Sequence, residues 1–382
     1  MISQLLILLL APPLIGAEHF EPADLQNAIA VLRKVTPDNQ AGAAEAWRQL
    51  AGAKVEQLPE LLAGMDGSSA VARNWLRSSI DQVLESAKKE NKPLPYGELE
   101  AFVRERKHDP QARRFAYELI VEKDKKAADK FLPTMLDDPS PELRRDAVAR
   151  LLDEGNKVLQ SDKKQDALPT FQKALASARD IAQINKAARA LRDLGQKVDL
   201  PTHLGLVADW KLIGPFANPD DKGIDIVYPP EKAIELTASY DGLKDKVKWK
   251  NFISAQEMGM IDLDANILKN ADGVGYAFTE FTSDRAQDVD IRIACYTPFK
   301  LWLNDALTLV RSDAYTGSAL DHYQVRVHLK PGVNKLLMKV SRAQAPPQVP
   351  NLWRFQLRVC DADGAAIRST TRPATPAPEK KS

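Results

Sequence analysis

The sequence predicts a multidomain α plus β protein, with an α-helical repeat domain over residues 18–199 and a β-sandwich over residues 200–368. Three observations predict it. Before residue 200, apolar residues recur at helical spacing, as in Leu25, Ile29 and Leu32 or Leu143, Ala147 and Leu151. Within that half a motif repeats: Asp109-Pro110-Gln111-Ala112-Arg113-Arg114-Phe115-Ala116 lines up with Ser140-Pro141-Glu142-Leu143-Arg144-Arg145-Asp146-Ala147, 31 residues on. After Leu200-Pro201 the pattern turns to period-two alternation, and Trp, Tyr, Pro and Gly become frequent.

Bulk properties agree with this division. A chain of 382 residues is long enough for two or three domains. Its 44% hydrophobic and 27% charged content excludes a wholly disordered, collagen-like or polytopic membrane protein. Lys and Arg number 53 against 52 Asp and Glu, so the basic excess of a nucleic-acid binder is missing. Two cysteines exclude a disulfide-built scaffold.

Residues 1–17, MISQLLILLLAPPLIGA, read as a signal peptide. Leu5 to Leu10 form the apolar region, Pro12 and Pro13 break it, and Ala17 offers a small residue at the cleavage point. The stretch is shorter than the ~20 residues of a spanning helix, which argues against an anchor. The mature chain is expected to begin near Glu18, in the periplasm or outside the cell, with no stable membrane span.

In the helical half, Asp109-Pro110 and Ser140-Pro141 each set a capping side chain before a proline at the first helical position. A weaker echo lies at Ala72-Arg73-Asn74-Trp75. The shared pattern, Asp or Ser, then Pro, then Arg and Ala three and six residues on, resembles HEAT-type helical repeats. Ala167-Leu168-Pro169-Thr170-Phe171-Gln172-Lys173-Ala174-Leu175 resembles the second helix of a tetratricopeptide unit. Either resemblance implies stacked helix pairs with a face for a protein partner; a plain helical bundle is the alternative.

In the β half, Tyr323, Val325, Val327 and Leu329 alternate with polar residues, Pro331-Gly332 makes a turn, and Lys335 to Val340 returns. Val289, Ile291 and Ile293 alternate likewise, as do Trp353, Phe355, Leu357 and Val359. Trp210-Lys211-Leu212-Ile213-Gly214-Pro215-Phe216 and Phe299-Lys300-Leu301-Trp302-Leu303-Asn304 resemble strands of a galactose-binding-like jelly roll. Such modules accompany exported bacterial hydrolases and uncharacterised exported bacterial proteins. The resemblance implies the fold and leaves the ligand open. One departure is Tyr296-Thr297-Pro298, where related modules often carry an acidic turn that serves calcium or a sugar. Asp262-Leu263-Asp264-Ala265-Asn266 begins like a calcium loop, but Ile267 and Gly273 stand where Gly and Glu are needed. No metal and no cofactor is expected.

Strand parity sorts the tryptophans. Trp210, Trp249 and Trp353 are expected in the core. Trp302 shares its parity with Lys300 and Asn304, while Phe299, Leu301 and Leu303 take the core face. Trp302, Lys300 and Asn304 are therefore the candidate ligand-binding residues, with packing against the helical half as the rival account of the ring. Tyr315, in a loop between Asp313 and Gly317, is the other candidate. The five histidines form no zinc motif, and no nucleophile elbow or phosphate loop is visible, so no catalytic residue is assigned. Cys295 and Cys360 have opposite parity, which argues for two free thiols over a disulfide. From Ser369 the tail carries three prolines and no large apolar residue, and is expected to be disordered.

The function expected is non-catalytic binding outside the cytoplasm, of glycans or protein partners and not of nucleic acid. The alternatives are a carbohydrate-active hydrolase or enzyme-associated module, and a structural envelope protein.

Overall fold

A computed structural model of the chain describes residues 22–269, 272–312, 319–342 and 352–371. The signal-peptide reading, Tyr315 and residues 372–382 fall outside them. The chain divides into two compact units, one up to Gln183 and one from Ile184. The first is helical; the second holds the antiparallel sheets. Among the described residues, no helix is long and apolar enough to cross a membrane.

In the helical unit the predicted caps form. Asp109 accepts hydrogen bonds from the backbone N–H of Gln111 and Ala112 and opens the helix Pro110–Lys123. Ser140 accepts from Leu143 N–H and opens Pro141–Leu159. Ser69 does the same for Ala72 at the head of Ala70–Lys89. The third motif is therefore set by Ser69, which places Arg73, Arg113 and Arg144 each four residues after a cap. Small residues let the helices approach: Ala72, Ala116 and Ala147 are buried. Gly155 serves the same end, since a Cβ there would lie 2.8 Å from the Phe171 ring. Arg113 and Arg144 are buried as well, although single charges on such helices mostly mark solvated faces. Arg113 forks onto both oxygens of Asp138 at 2.7 and 2.8 Å.

The β unit contains β1 (Asp209–Phe216), β2 (Ser239–Asp241), β3 (Lys246–Lys248), β4 (Lys250–Ile253), β5 (Ile261–Asp262), β6 (Val274–Ser283), β7 (Gln287–Cys295), β8 (Phe299–Leu303), β9 (Ala306–Arg311), β10 (Tyr323–Leu329), β11 (Gly332–Ser341) and β12 (Arg354–Cys360). A six-stranded sheet runs β4-β1-β6-β11-β8-β9 and a four-stranded sheet runs β10-β7-β12-β5; β2 and β3 form a small ribbon. All pairs are antiparallel. One core lies between the two large sheets: Trp210, Phe281, Leu301 and Met338 from the first meet Ile291, Leu329, Phe355 and Leu357 from the second. Gly332, at φ +83°, opens β11 after the predicted turn. Trp210 and Trp353 occupy the core as expected, each indole N–H donating to a backbone carbonyl, of Val207 and Val340.

A second apolar cluster covers the outer face of the six-stranded sheet. Ile213, Phe216, Tyr276, Phe278 and Leu337 are buried there beneath Tyr228, Ile234, Tyr240 and Val247. The covering residues belong to one segment, 217–249, which acts as a strap. Trp249 packs in this outer cluster rather than in the core its parity suggested. The register shift in β1 between Ile213 and Phe216 explains how Phe216, of opposite parity, joins Ile213 on the outer face.

The ladder also separates the cysteines. Cys295 lies opposite Phe355 and Cys360 opposite Asp290, five residues apart along β7. At roughly 3.3 Å per residue that is about 17 Å, beyond any disulfide. Both thiols are buried and free, and burial raises the Cys295 thiol to about 11. We expect the native protein to resist a thiol reagent and the unreduced, denatured protein to take up two equivalents; mass spectrometry after alkylation reads the count.

Ser369 to Thr371, assigned by sequence to the tail, run beside β6. Thr282 N–H donates to the Ser369 hydroxyl at 2.9 Å and Thr370 N–H to Thr282 O at 3.1 Å.

Candidate functional site

The alternation on β8 holds residue by residue. Phe299, Leu301 and Leu303 are in the core, while Lys300 and Trp302 face the other way and are half-buried. The register then builds two rows across the outer face. Phe278, Leu337, Trp302 and Leu307 are successive cross-strand partners on β6, β11, β8 and β9. Beside them run Ile213, Tyr276, Lys339, Lys300 and Val310.

Trp302 thus joins the outer cluster of its own unit. Its ring flanks a groove of about 70 Å³ whose apolar wall is Phe278, Leu337 and Ile234 and whose rim carries Asp305 and Lys335. The two rim charges stand 3.8 Å apart and are largely exposed. An aromatic beside a polar rim suits a ligand with an apolar face and hydroxyl edges.

The other sequence candidates are not gathered around that ring as free donors. Lys300 Nζ lies 3.2 Å from Asp225 on the strap. Asn304 sits in the β8–β9 turn with φ +51°. Its carboxamide oxygen accepts from Lys335 N–H at 3.0 Å and its amide donates to Asn334 Oδ1 at 3.0 Å. Asn304 thereby shapes the turn that carries Asp305.

Beneath the strap lies a polar cluster that sequence reasoning missed. Lys339 has a fully buried side chain, and its Nζ donates to Glu231 Oε1 at 2.8 Å and to Ile226 O at 2.6 Å. The same carboxylate oxygen accepts from the Tyr276 hydroxyl at 2.5 Å. The ammonium also lies 5.3 Å from the Tyr228 ring centroid and 5.7 Å from that of Tyr276. Burial pulls the Lys339 pKa down against the pull of Glu231. Burial first, then the bond to Glu231, pushes the Tyr276 phenol far up. A second anchor lies at the start of the strap, where Asn218 Nδ2 donates to Arg342 O at 2.5 Å. The signal available in the sequence was Val274 to Phe278, apolar at both parities, as a strand covered on both faces should be.

On the four-stranded sheet the outer face is also charged. Asp290 pairs with Arg292 at 3.2 Å and Arg326 at 3.0 Å, and Asp321 takes Arg358 at 2.5 Å. Among the described residues, no group of His, Cys, Asp or Glu is placed to hold a metal ion.

No family model matches the chain, and no curated protein matches it. Solved structures show partial likenesses. A β-glucosidase from Kluyveromyces marxianus is 13% identical over 40% of this chain and 16% of its own, with a TM-score of 0.27. An anti-sigma factor domain-containing protein from Clostridium clariflavum is 11% identical over 44% of this chain and 48% of its own, at 0.26. A family 35 carbohydrate binding module from Clostridium thermocellum is 15% identical over 23% of this chain and 72% of its own, at 0.17. The chain thus spans less than half the length of the first two.

Proposed function

We propose that the chain is an exported, non-catalytic binding protein whose β unit takes a glycan at the Trp302 groove. One observation carries this reading: a tryptophan standing off the core face, half-buried, with its ring beside a groove rimmed by Asp305 and Lys335. A pyranose has an apolar C–H face and a hydroxyl rim, and that pairing of surfaces is what the groove offers. Glu231, a half-buried carboxylate that also lines the groove, already accepts hydrogen bonds from Lys339 and Tyr276, which favours binding over acid–base chemistry there. In this reading the β unit is a galactose-binding-like jelly roll. The helical unit is a HEAT- or tetratricopeptide-like repeat presenting a face to protein partners, and residues 1–17 direct export.

A glycan array with the full chain tests the site. Binding should appear, vanish in Trp302→Ala and survive in Trp302→Phe, which keeps an aromatic face. Because the ring also packs on Leu337 and Phe278, Trp302→Ala should cost about 1–2 kcal/mol of stability and remain folded. An array with no binder, or equal binding by wild type and Trp302→Ala, sinks the reading.

A further inference from the structure

Among the described residues the two large sheets present four edge strands, and three of them carry the usual protection against pairing with another chain. β5 has two residues, β10 carries Arg326 and His328, and β4 begins at Lys250 and follows Lys246 and Lys248. β9 differs. Ala306-Leu307-Thr308-Leu309-Val310 is uncharged, the strand's one charge being Arg311 at its last position, and among the described residues no strand pairs its outer side.

Its side chains are placed for contact. The register shift on β9 leaves Thr308 as the extra residue, so Leu307 and Val310 both stand on the outer face, opposite Trp302 and Lys300. Leu307 is 53% exposed and Val310 38% exposed. They end the two cross-strand rows in apolar groups open to water.

The strand is self-complementary. Asp305 precedes it and Arg311 closes it. An antiparallel two-fold pairing that sets Leu307 opposite Val310 of a second copy brings Asp305 of each copy to the end where Arg311 of the other lies. It also matches outer-face residues with outer-face residues, as a continuous sheet requires. We propose that β9 is the dimer interface of this protein, joining two six-stranded sheets edge to edge through a second copy of this chain.

Sedimentation equilibrium of the full chain at concentrations up to about 100 μM tests it, a range that populates interfaces of modest size. The wild type should be dimeric. Leu307→Lys with Val310→Lys sets lysines opposite each other across the axis and should raise the dissociation constant about tenfold or more. Asp305→Arg alone should weaken the dimer, and adding Arg311→Asp should restore it, because the exchanged charges still meet at each end. A wild type that stays monomeric overturns the proposal. So does a dimer indifferent to the lysine pair, or a charge exchange that fails to rescue.

Discussion

Replacing Asp138 by Ala is expected to cost about 3–5 kcal/mol, because it leaves a guanidinium buried without its counter-charge. Arg113 and Asp138 have side chains 1% and 2% exposed. Asp138 does three things at once, two of them through its carboxylate. It takes the Arg113 fork, its Oδ1 accepts from Ser140 N–H at 2.8 Å, and its backbone carbonyl accepts from Arg144 Nε at 2.8 Å. Arg113 in turn donates from Nε to Val103 O at 3.0 Å, at the end of the helix Tyr96–Arg104. Three helices are thus tied through one acid. Hydrogen exchange is the suitable readout, since one melting temperature is poorly defined for a chain of two units. Amides of Pro110–Lys123 and Pro141–Leu159 should lose protection together. Asp81→Ala is the contrast: its partner Arg77 lies across an exposed helix surface, and the change should cost less than about 1 kcal/mol. Adding Arg113→Met to Asp138→Ala should recover part of the loss, since a neutral side chain needs no counter-charge. Unchanged protection in Asp138→Ala would remove Asp138 from this role.

The residues that were legible in the sequence are those whose placement is decided locally. Asp109 and Ser140 cap because a short oxygen-bearing side chain stands before a proline, and that geometry is complete within four residues. Phe299, Leu301 and Leu303 face the core because alternation leaves no other choice once one of them does. The strap lacks such a signal. Residues 217–249 carry little regular structure, and their apolar groups find a partner only through the second face of β6 and β11. Lys339 shows the consequence. Its parity with Lys335 and Leu337 reads as a solvent face, yet its side chain is fully buried because the strap lies over it. Trp302 follows the same rule: alternation tells that it leaves the core face and says nothing of what covers the other, and Trp249, read as core from its parity, lies instead in the cluster under the strap. The arginines of the helical motif are a similar case. A lone charge on a helix reads as solvated until Asp138, 25 residues away, arrives to pair with Arg113.

The strap therefore offers the other large effect. Glu231→Gln removes the charge that Lys339 faces while keeping the shape, and should destabilise the β unit by about 3–5 kcal/mol. Lys339→Met in the same chain should recover much of it, because the buried ammonium is then gone. The network also fixes how stability depends on pH above neutrality. Tyr276 has its phenol pKa raised in the fold, so the folded chain holds that proton after the unfolded chain has released it. Its contribution is full below the ordinary value of 10.0 and is lost as pH rises beyond it. Lys339 acts in the opposite sense. Its pKa is lowered in the fold, so its deprotonation relieves the fold as pH rises, and that gain is complete once pH passes 10.5, where the unfolded lysine has also lost its proton. Above that point the phenol alone governs the pair, and stability should fall steadily. Tyr276→Phe should be less stable at neutral pH, having lost its bond to Glu231, and flatter above pH 10.5 than the wild type. Urea unfolding followed by the fluorescence of the outer-face tryptophans, repeated across the alkaline range, gives both numbers. Parallel alkaline slopes for wild type and Tyr276→Phe would show that the phenol proton is not held by this network, and the strap would then rest on apolar contact alone.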